Sequence, residues 1–385
     1  MTQTAFLRGR FDQLSRRRRE HLRSAGLSMH ISPIDHLATS ISAEGGWLPF
    51  DRLMALALYA PGWGYYANDS RKFGTMPESG SDFVTAPELT PLFGQTLAVQ
   101  VAQAFDATGT NEIWEFGAGS GSLALQVLQS LGERISSYTI VELSASLRER
   151  QQARLAAFVH KLCWADALPE RMQGVVLGNE VLDAMPVQLL TRTNGVWHER
   201  GVAVGDGLLQ FADRPTDLRP PVGIDGTHDY LTEIHPQAEA FMRTLAGRLE
   251  RGAAFFLDYG FPESEYYHPQ RHMGTVMCHK GHLADANPLV DVGNKDITAH
   301  VNFSGIALAA QDAGLACLGY TSQARFLMNC GLLSKLERET TQTRWQTQKL
   351  LTEHEMGELF KVIGFTTGEP WDALGFSSGD RTHTL

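Results

Sequence analysis

A glycine-rich turn carries the clearest chemical signal in this sequence. Residues 115–122 have the sequence EFGAGSGS and lie between a predicted strand and a predicted helix. Glycines there let the backbone come close to a ligand, and the following helix offers free N–H groups. A dinucleotide-binding turn needs a third glycine where Ser122 stands, whereas the observed G-x-G-x-G spacing after an acidic residue is typical of S-adenosylmethionine sites. We therefore expect S-adenosylmethionine to contact Glu115, Phe116, Gly117, Ala118, Gly119 and Gly121.

Acidic residues that follow the next two strands complete the predicted cofactor site. Glu142, with Leu143 after it, ends the second strand, and its carboxylate can accept hydrogen bonds from both ribose hydroxyls of either cofactor class. Asp166 and Ala167 follow the third strand and would lie beside the adenine. Each acid could instead cap a helix or lie in a solvated turn. Because parallel strands end at one edge of the sheet, we favour the binding interpretation.

A second motif, NEVLDAMP at residues 179–186, follows the fourth strand and would face the methyl acceptor. Methyl transfer is an in-line displacement on carbon, so alignment and dehydration supply much of the rate. The carboxylates of Glu180 and Asp183, beside Asn179, could hold a cationic acceptor such as a guanidinium and receive its proton. The alternative is that these side chains only cap a short helix.

The elements around these motifs alternate as strands and helices. We predict strands at 113–116, 138–141, 161–164 and 174–178, with helices at 122–131 and 145–158 between them. This order predicts an α/β protein with a parallel sheet covered on both faces. Residues 187–204 predict a hairpin with a type I′ turn at Asn194-Gly195. Helices are predicted at 32–60, 88–105, 235–251 and 303–313, strands at 253–257, 315–320 and 360–365, and long polar loops at 205–234 and 261–300.

Ordered motifs along the chain resemble those of a known family. They are GYY at 64–66, FG at 73–74, DFVTAPE at 82–88, FG at 93–94, the glycine-rich turn, NEVLDAMP, LDYG at 257–260 and DITAHVNF at 296–303. Over about residues 45 to 365 the sequence resembles the MidA-like family, which includes the mitochondrial complex I assembly methyltransferases.

The resemblance implies a class I S-adenosylmethionine-dependent methyltransferase with a Rossmann-like, mostly parallel seven-stranded sheet. It implies a helical cap at 31–110, a core at 111–320 with insertions at 192–234 and 260–300, and C-terminal helices with the last strand at 321–385. Eukaryotic members symmetrically dimethylate arginine on a respiratory-chain subunit, so a complex I subunit becomes the expected protein partner, and a homodimer is compatible. Carried over by motif, Gly117, Gly119 and Gly121 bind cofactor, and Asn179, Glu180 and Asp183 line the acceptor side.

Composition excludes several classes of protein. The 385 residues carry 33 Lys and Arg against 43 Asp and Glu, a net charge of -10, which argues against nucleic-acid binding. No apolar run approaches the roughly 20 residues of a membrane span, and the four cysteines form no CxxC pair. Residues 1–28 hold seven arginines. We interpret them within a flexible basic tail of residues 1–30 on a cytoplasmic protein, with a transit peptide to the mitochondrial matrix as the alternative.

Three weaker patterns allow more than one interpretation. The loop with His268, His272, Cys278, His279 and His282 could ligate zinc, but unliganded side chains are the commoner outcome, and we expect no metal. An aromatic set could either wall the cofactor or form the core of the cap: Tyr65, Tyr66, Phe73 and Phe83. His300 could accept a proton or cap the helix that begins near Asn302.

The function predicted from these patterns is methyl transfer from S-adenosylmethionine to arginine in a protein, with Glu180, Asp183, Asn179 and His300 on the catalytic side. Two alternatives stay open at this point. One is an NAD-dependent oxidoreductase, which Ser122 and the 179–186 motif disfavour. The other is an assembly factor that binds S-adenosylmethionine without using it.

Overall fold

A mostly parallel sheet forms the centre of the protein. The computed structural model describes residues 32–68 and 85–385. The predictions for the basic segment 1–28 and for Phe73 and Phe83 lie outside these residues. In the described part of the chain, seven strands follow one another in the order β4-β3-β2-β5-β10-β16-β15, and the short β14 pairs alongside β10. Only β16 runs antiparallel to its neighbours on this path, whereas β2 to β5 and β10 pair in parallel. The predicted α/β class with a seven-stranded sheet is confirmed.

The strands have the following bounds: β1 Leu48–Pro49, β2 Glu112–Phe116, β3 Ser137–Val141, β4 Leu162–Ala165, β5 Met172–Asn179, β6 Gln188–Thr193, β7 Val196–Gly205, β8 Leu208–Pro215, β9 Tyr230–Ile234, β10 Leu249–Phe261, β11 Met277–Lys280, β12 Leu283–Asp285, β13 Asp296–Thr298, β14 Val301–Asn302, β15 Ala316–Ser322 and β16 Phe360–Thr366. The helices have these bounds: α1 Pro33–Ala43, α2 Phe50–Tyr59, α3 Ala86–Leu89, α4 Leu92–Thr108, α5 Ser122–Leu131, α6 Ala145–Arg154, α7 Pro236–Arg248, α8 Glu263–Tyr266, α9 Phe303–Asp312, α10 Gln323–Asn329, α11 Leu332–Leu336 and α12 Thr341–Leu351.

Two apolar layers cover the faces of this sheet. Val175 and Leu177 of β5 pack in the same cluster as α4 and α5, whereas Val176 between them packs with α7 and α9. Alternate residues of a strand point to opposite faces, so the continuous apolar run of β5 is buried on both sides. The sheet is therefore the middle layer of three, as the alternation of strands and helices predicts.

A second body contains the first part of the predicted cap, with α1 and α2, and much of the predicted insertions, whereas α4 of the predicted cap packs on the core sheet. In the described chain, β1, β6, β7, β8 and β9 form an antiparallel sheet, and β11, β12 and β13 form a smaller one. Their side chains share one apolar cluster with α1 and α2, including Phe50, Leu189, Val202 and Ile297. The hairpin prediction is correct, with β6 and β7 antiparallel and Asn194 and Gly195 at positive φ, as a type I′ turn requires.

Several sequence-based boundaries were wrong, each for a local physical reason. The predicted loops at 205–234 and 261–300 contain β8, β9, α8 and β11 to β13, because these polar segments gain their apolar partners only from the cap. The helix at 32–60 is split by Gly45 and Gly46, both at positive φ, before β1 pairs with β7. The helix predicted from residue 88 breaks at Thr90, which is extended because Pro91 follows it. The division of the chain into cap, core and C-terminal segment stays our proposal.

Other features bear on the fold rather than on the site. Helix α6 ends at Arg154 and not at residue 158, because Leu155 leaves the helical conformation and buries its side chain. All four cysteines are free thiols. Among residues 32–68 and 85–385, no helix combines the length and the apolar character needed to cross a membrane.

Candidate functional site

A cavity of about 1250 Å³ opens at the edge of the sheet where β2, β3 and β5 end. This volume exceeds the roughly 300–1,000 Å³ of common small-molecule pockets. Residues of the sheet edge form one part of its wall, and Tyr59 and Tyr66 of the cap and Met277 and Asp296 of the three-stranded sheet form another. The cavity therefore has room for more than one ligand and lies at the edge where open α/β sheets bind ligands.

The glycine-rich turn lines one end of this cavity. Five of its predicted residues line the wall, namely Glu115, Phe116, Gly117, Ala118 and Gly119. Gly121 does not line it; this glycine precedes α5 as its N-cap at φ 81°. Gly117 has φ 62°, and a Cβ atom there would come within 2.8 Å of the Val181 side chain. The turn thus needs glycine both for its backbone and for its close approach to the 179–186 segment.

The end of β3 adds a buried carboxylate to the same end of the cavity. Glu142 lines the cavity together with Leu143, and its Oε1 accepts from the backbone N–H of Ser144 at 2.9 Å. Burial raises the pKa of this carboxyl, and the bonds to Ser144 and Gln151 oppose that rise. Asp166 and Ala167, in contrast, are exposed and are not among the residues lining the cavity.

The 179–186 segment brings three of the predicted catalytic residues to the cavity. Asn179, Glu180 and Asp183 all line it, and Asn179 Nδ2 donates to Glu180 Oε1 at 3.0 Å. Glu180 has φ 54°, a left-handed conformation that costs a non-glycine residue of order 1–3 kcal/mol and that clusters at functional sites. In the described chain, Asn179 Oδ1 and Asp183 Oδ1 are buried without a hydrogen-bond partner. These two oxygens can therefore accept hydrogen bonds from a ligand.

Asp258 holds this segment in place from β10. Its Oδ2 accepts from three successive backbone N–H groups, those of Val181, Leu182 and Asp183, at 3.0, 2.8 and 3.3 Å. The side chain is 1% exposed. Burial, followed by the negative charges of Asp183 and Glu180, raises the pKa of Asp258 well above its ordinary value. The turn after β5 is thus fixed by a carboxyl group of the neighbouring strand.

Two carboxyl groups of the 179–186 segment have unusual acidities. Burial, and then the charge of Asp183, raises the pKa of Glu180 to about 8. Burial raises the pKa of Asp183 to about 6, and a hydrogen bond from Tyr259 opposes that rise. Groups that titrate near neutral pH suit proton transfer, and such shifts cluster at functional sites.

His300 also lies at the cavity wall, between two aromatic rings. Its ring centroid is 5.3 Å from that of Tyr259 and 5.2 Å from that of Phe261. Burial lowers the pKa of His300 to about 4, so its imidazole is neutral at pH 7. The capping alternative was wrong, because Asn302 is the N-cap of α9 and accepts from the Gly305 N–H.

The sequence and the structure of this chain are similar to those of known proteins. Residues 96–321, more than half of the chain, match the family described as "Putative S-adenosyl-L-methionine-dependent methyltransferase". The chain belongs to this family. The methyltransferase also resembles a Burkholderia thailandensis protein whose crystal structure contains bound S-adenosyl-homocysteine. The two are 49% identical with a TM-score of 0.87, over 92% of this chain and 96% of that one.

Curated relatives of this methyltransferase carry a more specific name. The mitochondrial protein arginine methyltransferase NDUFAF7 of Danio rerio is 28% identical in an alignment 348 residues long, which covers 80% of this chain and 79% of the relative. The Drosophila melanogaster homologue of that protein is 27% identical in an alignment 405 residues long, gaps included, which covers 91% of this chain and 90% of the relative.

Family membership makes S-adenosylmethionine the cofactor of this methyltransferase and confirms the prediction made from the glycine-rich turn. The oxidoreductase alternative is not supported. The residues of the cavity fit S-adenosylmethionine in two respects. The Gly117 backbone leaves no room for a side chain, so a ligand can come close to it, and within the described chain the buried Oδ1 atoms of Asn179 and Asp183, two lining residues, have no hydrogen-bond partner.

The weaker patterns divide between site and core. Tyr65 is fully buried in the apolar cluster of the cap, whereas Tyr66 lines the cavity. Of the histidine loop, His279 lines the cavity and Cys278 is buried in β11. No group of three or more His, Cys, Asp or Glu side chains within 32–68 and 85–385 is arranged to hold a metal ion.

Sequence reasoning missed several residues of the site. Glu88 of α3 accepts hydrogen bonds from Ser120 and Ser122 of the glycine-rich turn and from Arg154, and so connects α3 to that turn and to α6. Asp258 and Asp296 stood in the quoted motifs without an assigned role. Their signal was an acidic residue next to a buried strand, which alone does not specify what the carboxylate contacts.

Gln151 of α6 also escaped prediction, although it connects the turns after β2 and β3 with strand β4. It is fully buried, and its Nε2 donates to Gly119 O at 3.0 Å and to Glu142 Oε2 at 3.1 Å, while its Oε1 accepts from Trp164 at 2.9 Å. We expect Gln151→Leu to weaken S-adenosyl-homocysteine binding about tenfold, measured by calorimetry, because lost hydrogen bonds to a charged group cost of order 1.5–3 kcal/mol.

A matched control separates this effect from general destabilisation. Gln100 of α4 is equally buried and accepts from the Gly375 N–H at 2.7 Å, but its bonding partners, Gly375 and Gln103, do not line the cavity. Gln100→Leu should lower the melting temperature without changing the affinity. Equal affinities for the two variants would contradict a positioning role for Gln151.

Proposed function

We propose that this methyltransferase modifies the guanidinium group of arginine in a protein substrate. The observation that carries the proposal is the charge of the cavity wall. Among the described residues that line it, one side chain is an arginine, Arg271, and six are carboxylic acids: Glu88, Glu115, Glu142, Glu180, Asp183 and Asp296. Acidic side chains thus outnumber basic ones on this wall, and Glu115 and Glu180, each with a pKa of about 8, add to its negative charge once they are ionised. Such a wall attracts cations, and both S-adenosylmethionine and arginine are cations.

We assign roles according to the position of each residue along the cavity. The glycine-rich turn, Glu142 and Leu143 would hold the cofactor, and Asn179, Glu180 and Asp183 would face the acceptor. Gly121 would act through the turn, since it does not line the cavity. The adenine role of Asp166 and Ala167 and the proton-accepting role of His300 stay predictions.

The reaction needs an aligned nitrogen and an acceptor for its proton. When bound, S-adenosylmethionine supplies an electrophilic methyl carbon. Asp183, whose pKa is about 6, is largely ionised at pH 7 and can orient the guanidinium through its Oδ1, which has no partner among the residues described. A guanidinium does not lose its proton in water below about pH 12. The proton must therefore leave as the nitrogen bonds to carbon, and Glu180 and Asp183 are the groups we assign to receive it. Glu180, with a pKa of about 8, is mostly protonated at pH 7 in the free protein and can receive this proton only after a bound cation has lowered that pKa.

The names of the curated relatives support a protein arginine as the acceptor. A subunit of respiratory complex I as the substrate, and a homodimer as the active form, stay predictions from the resemblance. The same holds for the compartment, which we propose as the cytoplasm or, with a transit peptide, the mitochondrial matrix.

The test uses the full-length protein, S-adenosylmethionine labelled in the methyl group, and lysate of cells that lack this chain. We expect labelled protein whose acid hydrolysate contains methylarginine. Labelled lysine or labelled small molecules in its place would overturn the arginine assignment. The scaffold alternative is tested in the same cells: an Asp183→Asn variant that restores their phenotype as well as the wild type would show that catalysis is dispensable.

A further inference from the structure

Asp296 contributes a carboxylate to the cavity from outside the core sheet. It begins β13, lines the cavity and is 3% exposed. The Tyr66 hydroxyl lies 3.0 Å from each carboxylate oxygen, and the Ile297 N–H donates to Oδ1 at 3.0 Å. Groups from the cap and from β13 thus hold this side chain in one orientation.

Tyr59 and Tyr66 form an aromatic wall next to this carboxylate. Their ring centroids are 5.6 Å apart with an interplanar angle of 19°, and both residues line the cavity. The Tyr59 hydroxyl donates to Ala184 O at 2.8 Å, which connects α2 to the turn that carries Asp183. Flat aromatic faces attract planar cations such as a guanidinium.

The carboxylates of Asp183, from the core, and of Asp296, from β13, both influence Tyr66 at the cavity wall. Burial raises the pKa of the Tyr66 hydroxyl well above its ordinary value, and the charges of Asp296 and Asp183 raise it further. Asp183 is 4% exposed, lines the cavity, and its Oδ1 has no partner in the described part of the chain. A buried acceptor without a partner indicates that a donor is supplied by a ligand.

We propose that Asp296, fixed by Tyr66, is a specificity-determining residue that binds the guanidinium nitrogens not undergoing methylation. Tyr59 and Tyr66 then pack against the plane of that group. A guanidinium presents five N–H donors in one plane, whereas the ammonium of lysine is a compact point charge. Carboxylates that approach from two separate bodies can therefore bind the guanidinium of arginine better than the ammonium of lysine. This inference rests on the proposed arginine acceptor.

The test compares Asp296→Asn and Tyr66→Phe with the wild type in the lysate assay. Nα-acetyl-arginine amide and Nα-acetyl-lysine amide serve as competing probes. Since charge-assisted hydrogen bonds are about twice as strong as neutral ones, we expect Asp296→Asn to lower kcat/KM about tenfold. The advantage of the arginine probe over the lysine probe, as a ratio of inhibition constants, should shrink by a similar factor. Tyr66→Phe keeps the carboxylate and should shift both quantities in the same direction by about threefold.

A matched control is available in the same segment. Asp291 is paired with Lys280 at the surface and has φ 54°, which asparagine tolerates well, so Asp291→Asn should leave every quantity unchanged. S-adenosyl-homocysteine affinity and melting temperature should stay within twofold and about 2 °C of the wild type in all variants. If the ratio of the inhibition constants of the two probes stayed at its wild-type value in both Asp296→Asn and Tyr66→Phe, the inference would be overturned. Absence of methylarginine with the wild type would instead overturn the proposed function.

Discussion

Replacing Glu180 by Gln or Asp183 by Asn is expected to lower the kcat/KM of methyl transfer at least a hundredfold, while S-adenosyl-homocysteine affinity stays within about threefold. General acid–base groups contribute about 10²–10⁴ to a rate, and these two carboxyl groups are the ones placed to orient the nitrogen and receive its proton. Both substitutions keep the shape of the side chain, so the cofactor end, built from the glycine-rich turn and Glu142, is left intact.

The pH dependence of the rate provides a second readout of the same substitution. With the pKa of Glu180 at about 8 and that of Asp183 at about 6, wild-type kcat/KM should fall as the pH drops through 8 and fall more steeply through 6, because a protonated acid can no longer accept a proton or pair with a cation. The lower of these two limbs should disappear in Asp183→Asn. A lower limb of unchanged position in that variant would assign it to another group.

Glu180→Gln is also expected to stabilise the protein, and more so as the pH rises. The pKa of Glu180 is about 8 in the folded protein, above the ordinary value of 4.5. The folded state therefore retains a proton that the unfolded chain loses, and stability falls between about pH 4.5 and pH 8. Glutamine does not titrate. The melting temperature of the Glu180→Gln variant should exceed that of the wild type by a few °C at pH 8, where the difference between the folded and unfolded pKa of Glu180 corresponds to a cost of a few kcal/mol. At pH 5 the two melting temperatures should differ little.

A matched acid at the surface controls for the change of charge. Glu250 pairs with Arg171 on the exposed side of β10, so Glu250→Gln should alter neither turnover nor the pH dependence of stability. If Glu180→Gln kept wild-type turnover, the acceptor role of this segment would be wrong.

Much of the core could be predicted from sequence because local patterns determine it. The glycine-rich turn follows a strand and precedes a helix, and topology alone then brings Glu142 and Asn179 to the same sheet edge. The cap escaped prediction because its strands are short and polar. β11 and β13 become a sheet only through Ile297 and Cys278, which pack on residues of α1 and α2 more than 200 positions away.

The same limit applies to individual side chains of the site. Gln151 looks like any helical glutamine, and only the packing of three loops around it shows that it bonds to Gly119 and Glu142. Asp166, in contrast, has the expected position after a strand, yet its side chain points into solvent rather than to the cavity wall. Position at the sheet edge is thus necessary for contact with a ligand but does not determine it.

Removing the Asp258 carboxyl by Asp258→Ala is expected to lower the free energy of unfolding by about 3–5 kcal/mol, since buried N–H groups lose their acceptor. Its Oδ2 accepts from Val181, Leu182 and Asp183, so their N–H groups would be left buried and unpaired. The freed turn should also misplace Asp183 and lower turnover at least tenfold, because displacements of about 1 Å cost rate steeply. Denaturant unfolding and the lysate assay measure the two effects.

Asp258→Asn identifies which property of the carboxyl group is needed. The amide oxygen can replace Oδ2 as acceptor, and the amide group adds no negative charge to the neighbourhood of Glu180 and Asp183, whose charges already raise the pKa of Asp258. We therefore expect Asp258→Asn to recover most of the stability and turnover that Asp258→Ala loses, apart from the bond that Oδ1 accepts from the Tyr259 N–H. If both variants lost the same stability, the hydrogen bonds to the turn would not be what holds it. Recovery of stability without turnover would mean that the reaction needs a property of the carboxyl group beyond its acceptance of these hydrogen bonds.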